Sequence, residues 1–276
     1  MITDWDPGFL ARSPMFEPLR MHCGALPKSR WPTLDDLQRM LDCVDVPPAS
    51  GSRARIAFVN QSRKTTAFED KYEARIYLKG EVQVRERNWH DLLNALVWLT
   101  FPRAKAALNG RHYHALLRQH AAGAQNRGRE QDAMTLFDEG GLIVAARDRA
   151  LLDLIAASEW KTLFWSSRAR VIADMRFYLF GHALYEKALQ PFTGITARAL
   201  LFEVGTEFVD ATLEEQLAYL DAAAARRIAD SRTVRSPRDL PPLPILGVPG
   251  WCAANAEATY YDNRDHFRKR RAFPAP

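Results

Sequence analysis

Residues 88–109, NWHDLLNALVWLTFPRAKAALN, decide how this chain is read. The pattern predicts a helix, yet Asp91 is the only formal charge from Asn88 to Pro102. A surface helix normally carries an apolar stripe opposite a charged face. At about 100° per residue, Trp89, Leu92, Leu93, Leu96, Val97 and Leu99 cover one broad arc. His90, Asp91, Asn94 and Trp98 fill the remainder. The stretch therefore reads as a buried helix with one polar edge, and that edge holds side chains able to bind metals or move protons. Pro102 ends it, and a second helical piece follows over 103–122.

Working outward, 1–32 is rich in aromatics and proline and is expected to wrap over the core. Thr33 is placed to cap a helix from Leu34 to about Cys43, and the stretch from Val46 to Ser52, with two prolines and a glycine, reads as a loop. Residues 54–60, ARIAFVN, read as a strand. Residues 72–84, YEARIYLKGEVQV, read as a hairpin turning near Lys79-Gly80, on the alternation of Ile76, Leu78, Val82 and Val84.

Beyond the opening helix, 123–131 is polar and glycine-containing, hence a loop. Met134 to Gly141 leads into the apolar run LIVAA at 142–146. Helices are expected over 147–157, 159–165, 167–189, 195–208 and 212–229. Thr212 caps the last of these, with Glu215 at the capping-box position. PPLPILGVPGW in the tail can be neither a regular helix nor a central strand, because proline removes donors and fixes the backbone. It reads as an extended segment pinned by Leu243, Ile245, Leu246, Val248 and Trp251.

The expected fold is α+β and mainly α-helical: a helical core, a small antiparallel sheet and an extended proline-rich C-terminal segment. Residues 1–276 are read as a single domain, with 1–32 and 234–276 mostly extended segments packed on the core. A chain of 276 residues with 47% hydrophobic and 26% charged residues can bury such a core. The net charge of +5 comes from both signs spread along the chain, so it does not argue for nucleic acid. Cys23, Cys43 and Cys252 form no CxxC pair, which argues against a disulfide framework or a thiolate zinc site and for a reducing cytoplasm. No signal peptide and no membrane span are expected.

Three segments carry candidate chemistry. His90 and Asn94 are i,i+4 neighbours on the opening helix, able to hold a metal or orient a substrate. His182 and Glu186 repeat that spacing in FGHALYEK, with Tyr178 one turn before as a substrate contact. Asp138 and Glu139 stand between an apolar triplet and Gly140-Gly141, where loops often present functional groups. Each has a plainer reading: a satisfied core histidine, an intrahelical His–Glu pair, a solvated acidic turn. Glu73 is a further carboxylate if its strand face points inward. Ionised groups in apolar surroundings are costly unless paired or metal-bound. His90, Asp138, His182 and Glu186 are therefore the expected ligands of a divalent metal, with Glu139 and Asp91 as catalytic carboxylates. HExxH, GxSxG, a P-loop and GxGxxG are all absent.

NWHDLLNALVWLTFPRAKAALN at 88–109, TLFDEGG at 135–141, FGHALYEKALQPFTGITA at 180–197 and PLPILGVPGW at 242–251 together resemble the bacterial family labelled DUF3025. The resemblance runs from about 54 to 268. It implies an integral unit that includes the proline-rich tail, in a bacterial, cytoplasmic protein, and it supplies no catalytic assignment.

Three functions follow as expectations. The first is a metal-dependent hydrolase acting on a small-molecule or peptide substrate. The second is a non-catalytic module offering Trp251, Tyr260 and Tyr261 to a protein partner. The least favoured is nucleic-acid binding through the basic run Arg264–Arg271, which Asp262 and Asp265 dilute.

Overall fold

The computed structural model describes residues 4–44, 47–61, 67–123 and 128–269. Val46, residues 124–127 of the expected loop, and Arg270 and Arg271 of the basic run lie outside them. The fold is α+β and mainly helical. Its chain order begins with α1 (Leu34–Asp42), β1 (Ala57–Asn60), α2 (Tyr72–Lys79), β2 (Glu81–Val84), α3 (Trp89–Thr100) and α4 (Pro102–Ala121). It continues with α5 (Arg129–Gly140), β3 (Gly141–Ala146), α6 (Arg149–Ala156), α7 (Arg168–Asp174), β4 (Met175–Leu179) and α8 (His182–Ala188). The last elements are β5 (Thr196–Glu203), α9 (Thr206–Asp210), α10 (Leu213–Ala229) and β6 (Pro242–Pro244).

The main sheet has the order β4-β3-β5-β6. β3 pairs antiparallel with β4 and parallel with β5, and β5 pairs antiparallel with β6. All six residues of β3 are buried. A strand paired on both sides and covered on its faces needs an unbroken apolar run rather than alternation, which is what GLIVAA supplies. Pro242 and Pro244 sit on the edge strand, where a missing N–H costs least.

α3 is buried as its composition requires. Of its residues only His90 and Asp91 remain half-exposed. Asn88 caps it by accepting from the Asp91 N–H at 3.0 Å. Pro102 opens α4, whose first free N–H groups are capped from a distant helix: Asp221 of α10 accepts from Arg103 at 3.1 Å and Ala104 at 2.8 Å. Both expected helix caps form. Thr33 and Asp36 make a capping box on α1, and Thr212 and Glu215 make one on α10.

Several expectations are corrected. Residues 72–79 are helical, and β2 pairs in parallel with β1, not as half of a hairpin. A parallel pair needs a crossover between its strands, and α2 lies in it. Gly80, at φ 73°, is the left-handed cap of α2, and a Cβ there would stand 2.0 Å from the Arg55 carbonyl oxygen. The small sheet is thus parallel and the larger one mixed, where one small antiparallel sheet was expected.

The stretch 167–189 is not one helix but α7, β4 and α8. The stretch 195–208 is β5 followed by α9. In both, pairing with β3 overrides a local pattern compatible with a helix. The helix expected over 159–165 does form, with π-helical winding at Thr162–Ser166. The N-terminal segment is not an extended wrap. It folds into 3-10 turns at Phe9–Ala11 and Pro14–Ala25, and Phe9, Leu10, Met15, Phe16 and Leu19 are at most 1% exposed.

The tail is tied down by side-chain bonds. Asn255 Nδ2 donates to the carbonyls of Leu246 and Val248, and the Tyr261 hydroxyl donates to that of Gly247 at 3.0 Å. Tyr261 is buried, while Trp251 and Tyr260 are half-buried. Within the basic run, Lys269 pairs with Glu159 at 2.8 Å and Trp160 Nε1 donates to the Arg268 carbonyl at 2.9 Å. Among the described residues, no helix is long and apolar enough to cross a membrane.

A candidate metal centre

Three helices bring the polar groups together. α3 and α8 pack against one another, and α5 ends against the start of α8. The last contact depends on Gly181, which precedes α8. A Cβ there would stand 2.4 Å from the Glu139 carbonyl oxygen and from the Gly141 nitrogen. The N–H groups of Phe180 and Gly181 both donate to the Gly141 carbonyl at 2.9 Å. The chain crossing therefore sets His182 beside Asp138 and Glu139.

Across the α3–α8 contact, His90 Nε2 lies 3.0 Å from His182 Nε2, with the rings at 80°. Glu139 Oε1 lies 3.8 Å from His182 Nε2. One ligand atom from each of His90, Glu139 and His182 falls within 4.8 Å of the others. Metal bonds of about 2.0–2.2 Å in a tetrahedral site put ligand atoms roughly 3.3 Å apart. The two measured separations bracket that value.

Each imidazole turns its other nitrogen toward a carboxylate. His90 Nδ1 is 3.0 Å from Glu186 Oε2, and His182 Nδ1 is 3.8 Å from Asp138 Oδ2. His182 Nδ1 is buried and has no hydrogen-bond partner within normal distance.

This arrangement has a consequence for protons. A neutral imidazole has one N–H and one lone pair. If His90 donates to Glu186, its Nε2 lone pair faces His182, which must then donate from its own Nε2. The His182 Nδ1 lone pair is left toward the Asp138 carboxylate. If His90 instead donates from Nε2, its Nδ1 lone pair faces Glu186. With both imidazoles neutral, either the buried His182 Nδ1 stays unbonded with its lone pair toward Asp138 at 3.8 Å, or the His90 Nδ1 lone pair faces Glu186 at 3.0 Å. A cation at the Nε2–Nε2 contact would let both Nδ1–H groups point at carboxylates.

Burial lowers the His182 imidazole to about 3, against the opposing pull of Asp138, so His182 is neutral and available as a ligand at physiological pH. Burial would raise the Asp138 carboxyl, but the adjacent Lys105 and His182 bring it down to about 2. Burial raises the Glu139 carboxyl, His90 lowers it and Asp138 raises it further, so that it sits above the ordinary glutamate value.

The cluster opens on a cavity of about 410 Å³. Its walls include Tyr72 and Glu73 from α2, Arg85, and Gln131 and Thr135 from α5. Lys105 of α4, only 4% exposed, donates to Asp138 Oδ1 at 2.5 Å and to Asn94 Oδ1 at 2.9 Å. Asn94 Nδ2 donates in turn to the Tyr72 hydroxyl oxygen at 2.9 Å. Enclosure of that hydroxyl, with Glu73 and Asp138 nearby, raises Tyr72 well above the ordinary phenol value. Glu73 accepts at Oε2 from Asn109 Nδ2 at 2.8 Å.

Of the residues singled out in the sequence, His90, Asn94, Asp138, Glu139, His182 and Glu186 meet around this centre. Their order differs from expectation. Glu139, expected as a catalytic carboxylate, faces the nitrogens, while Asp138 and Glu186, expected as ligands, stand behind the imidazoles. His182 and Glu186, one turn apart, do not pair with each other; Glu186 reaches His90 instead. Asp91 lines the cavity, but its carboxylate is held by Arg85 through Nε at 2.7 Å, a second guanidinium N–H at 2.8 Å and the Arg85 backbone N–H at 2.8 Å. Tyr178 belongs to β4, where its hydroxyl donates to Gln216 Oε1, and it does not line the cavity. Glu73 reaches the wall from a helix, not from a strand.

Sequence reasoning missed Tyr72, Lys105, Arg85 and His112, which also line or support the site. Lys105 had one available signal: an isolated lysine within AKAALN, beside an apolar helix.

A family model described as a protein of unknown function (DUF3025) matches residues 56–271. No curated protein matches, and no solved structure matches.

Proposed function

The chain belongs to the DUF3025 family, whose description assigns no activity, and from its site we propose a metal-dependent hydrolase. The observation that carries the reading is the Nε2–Nε2 contact of 3.0 Å between His90 and His182, each imidazole backed by a carboxylate. A divalent cation at that contact satisfies both lone pairs and lets each Nδ1–H point at its carboxylate. Glu139 completes three protein ligands, and an open fourth position is the arrangement of catalytic zinc sites. Mixed nitrogen and oxygen donors also suit manganese or iron.

When bound, such an ion polarises a substrate oxygen and lowers the pKa of a bound water toward neutrality. The chain's own groups do the rest. Glu186 and Asp138 orient the imidazoles and raise their basicity as ligands. Lys105 holds Asp138, and Arg85 removes Asp91 from the reaction. A cavity of about 410 Å³ suits a small molecule or a short peptide segment. The three cysteines are unpaired, which fits a reducing compartment, and we propose a cytoplasmic location.

The competing explanation of the contact is a hydrogen bond in which one imidazole N–H donates to the other ring's lone pair. Elemental analysis of untagged protein after zinc, manganese or cobalt loading separates the two. The expected result is close to one ion per chain in the wild type and a large loss in both His90→Ala and His182→Ala. Substoichiometric metal, unchanged in those variants, would overturn the reading. Hydrolysis of chromogenic amides and esters, abolished by a chelator and restored by the same ion, is the expected activity.

A further inference from the structure

The buried lysine beside the centre fixes the direction of a hydrogen bond on the opposite wall. Lys105 has only donors, so the Asn94 atom facing it at 2.9 Å must be the carbonyl oxygen. The Asn94 NH2 then faces Tyr72, and the Tyr72 oxygen accepts at 2.9 Å. A hydroxyl whose oxygen is accepting from the protein keeps its own O–H for another acceptor. Tyr72 lines the cavity shared with His90, Glu139 and His182, and no acceptor for its O–H occurs among the described residues.

We infer that Tyr72 is an oriented donor to the acyl oxygen of the substrate, and that the substrate is an uncharged carboxamide or ester. This rests on the metal reading of the same site. During attack of water on the acyl carbon, the C=O π bond becomes a C–O⁻ single bond as the new C–O bond forms. The Tyr72 O–H stabilises that oxyanion without giving up its proton, and the oxyanion re-forms C=O as the C–N or C–O bond to the leaving group breaks, the amine or alcohol taking up the proton that the attacking water lost. Donors already aimed at the developing charge are the most effective kind. Asn94 is the positioning residue, and Lys105 fixes Asn94.

The charge of the lining selects the class. Glu73, Asp91, Asp138 and Glu139 line the cavity, while Arg85 on the same wall is consumed by Asp91 and Lys105, in the adjoining pocket, by Asp138. No uncommitted cation lines the wall among the described residues, so a phosphoester dianion would have the ion alone to offset its charge, whereas a neutral acyl group needs no such partner.

The test uses cobalt(II)-loaded full chain titrated with acetohydroxamate, an acyl chelator that is uncharged as the free acid and binds as a monoanion, and read by the visible cobalt absorption. The wild type is expected to bind it in preference to inorganic phosphate. Tyr72→Phe is expected to weaken binding about tenfold, the order of one hydrogen bond to a charged group, with cobalt content unchanged. Asn94→Asp keeps the shape and the bond to Lys105 but offers Tyr72 a carboxylate acceptor. The Tyr72 O–H would then turn away from the cavity, and the same weakening is expected with the tyrosine still in place. Full cobalt content with Tyr72→Phe binding as the wild type does overturns the role of Tyr72 alone. Tighter binding of phosphate than of acetohydroxamate overturns the substrate class. No cobalt uptake by the wild type overturns the metal reading, and this inference falls with it.

Discussion

His90 Nδ1 sits 3.0 Å from Glu186 Oε2, joining α3 to α8 across 96 residues of sequence. The bond fixes which nitrogen of His90 carries the proton and turns the Nε2 lone pair toward His182. Such outer carboxylates are typically worth 10–100-fold in metal affinity. Glu186→Gln is therefore expected to weaken zinc binding by about that factor, measured by competition with a chromogenic chelator. Its thermal midpoint should change little, because the Glu186 side chain is 31% exposed and the pair adds little stability.

Adjacent carboxylates should separate by role. Asp138 holds the ammonium of Lys105, which is 4% exposed. Removing one partner of a buried pair leaves an uncompensated charge, at a cost of about 3–5 kcal/mol. Asp138→Ala is expected to lower the unfolding free energy by that order in a denaturant titration. Glu139 has 45% of its side chain exposed and faces the histidine nitrogens. Glu139→Gln should leave stability within about 0.5 kcal/mol of the wild type, as for ordinary surface changes, while metal content falls. A stability loss in Glu139→Gln equal to that in Asp138→Ala would remove the distinction.

These roles were partly legible in the sequence. The missing charge in the helix after Asn88 announces its burial, and its polar edge, His90 and Asp91, is the part that stays half-exposed. Thr212 and Glu215 mark their cap, and the prolines of the tail exclude a central strand. β4 and β5 were hidden because MRFYL and TARALLFE fit a helix locally and become strands only by pairing with β3. Tyr72 was hidden for the opposite reason: alternation around Ile76 and Leu78 imitates a strand, and the parallel crossover that demands a helix is a tertiary fact. The division of carboxylates between the metal side and the outer side was beyond any spacing argument. It depends on the approach of His90 to His182, 92 residues apart.

The N-terminal segment gives a pH effect away from the centre. His22 is buried, and burial lowers its imidazole from 6.5 to about 4. Its Nε2 lies 2.9 Å from Thr100 Oγ1, whose own O–H donates to the Leu96 carbonyl at 2.8 Å. His22 must therefore donate from Nε2, and its burial favours the neutral ring. Between pH 6.5 and 4 the unfolded chain binds the proton that the folded chain refuses. Stability from this group is fully present above pH 6.5 and is lost as pH falls toward 4, by roughly 3 kcal/mol in the limit. In His22→Gln, which keeps a donor and does not titrate, unfolding free energy should fall less over this window. Parallel pH curves for the two proteins would show that His22 is not the group responsible.

Gly181 is where fold and site are most tightly joined. Its φ of −64° is open to any residue, so the constraint is space rather than backbone conformation. A Cβ would stand 2.4 Å from the Glu139 carbonyl oxygen and 2.5 Å from the Gly140 nitrogen, both backbone atoms that cannot rotate away. Gly181→Ala must then part α8 from the end of α5, at the roughly 1–3 kcal/mol typical of overpacking. The same shift moves His182, the next residue, against His90 and Glu139. A displacement near 1 Å spoils a preorganised site well before the fold fails. Metal affinity in Gly181→Ala is therefore expected to fall at least tenfold at temperatures where circular dichroism still shows a folded chain. Wild-type affinity in this variant, with folding intact, would show that the α5–α8 crossing does not position the centre.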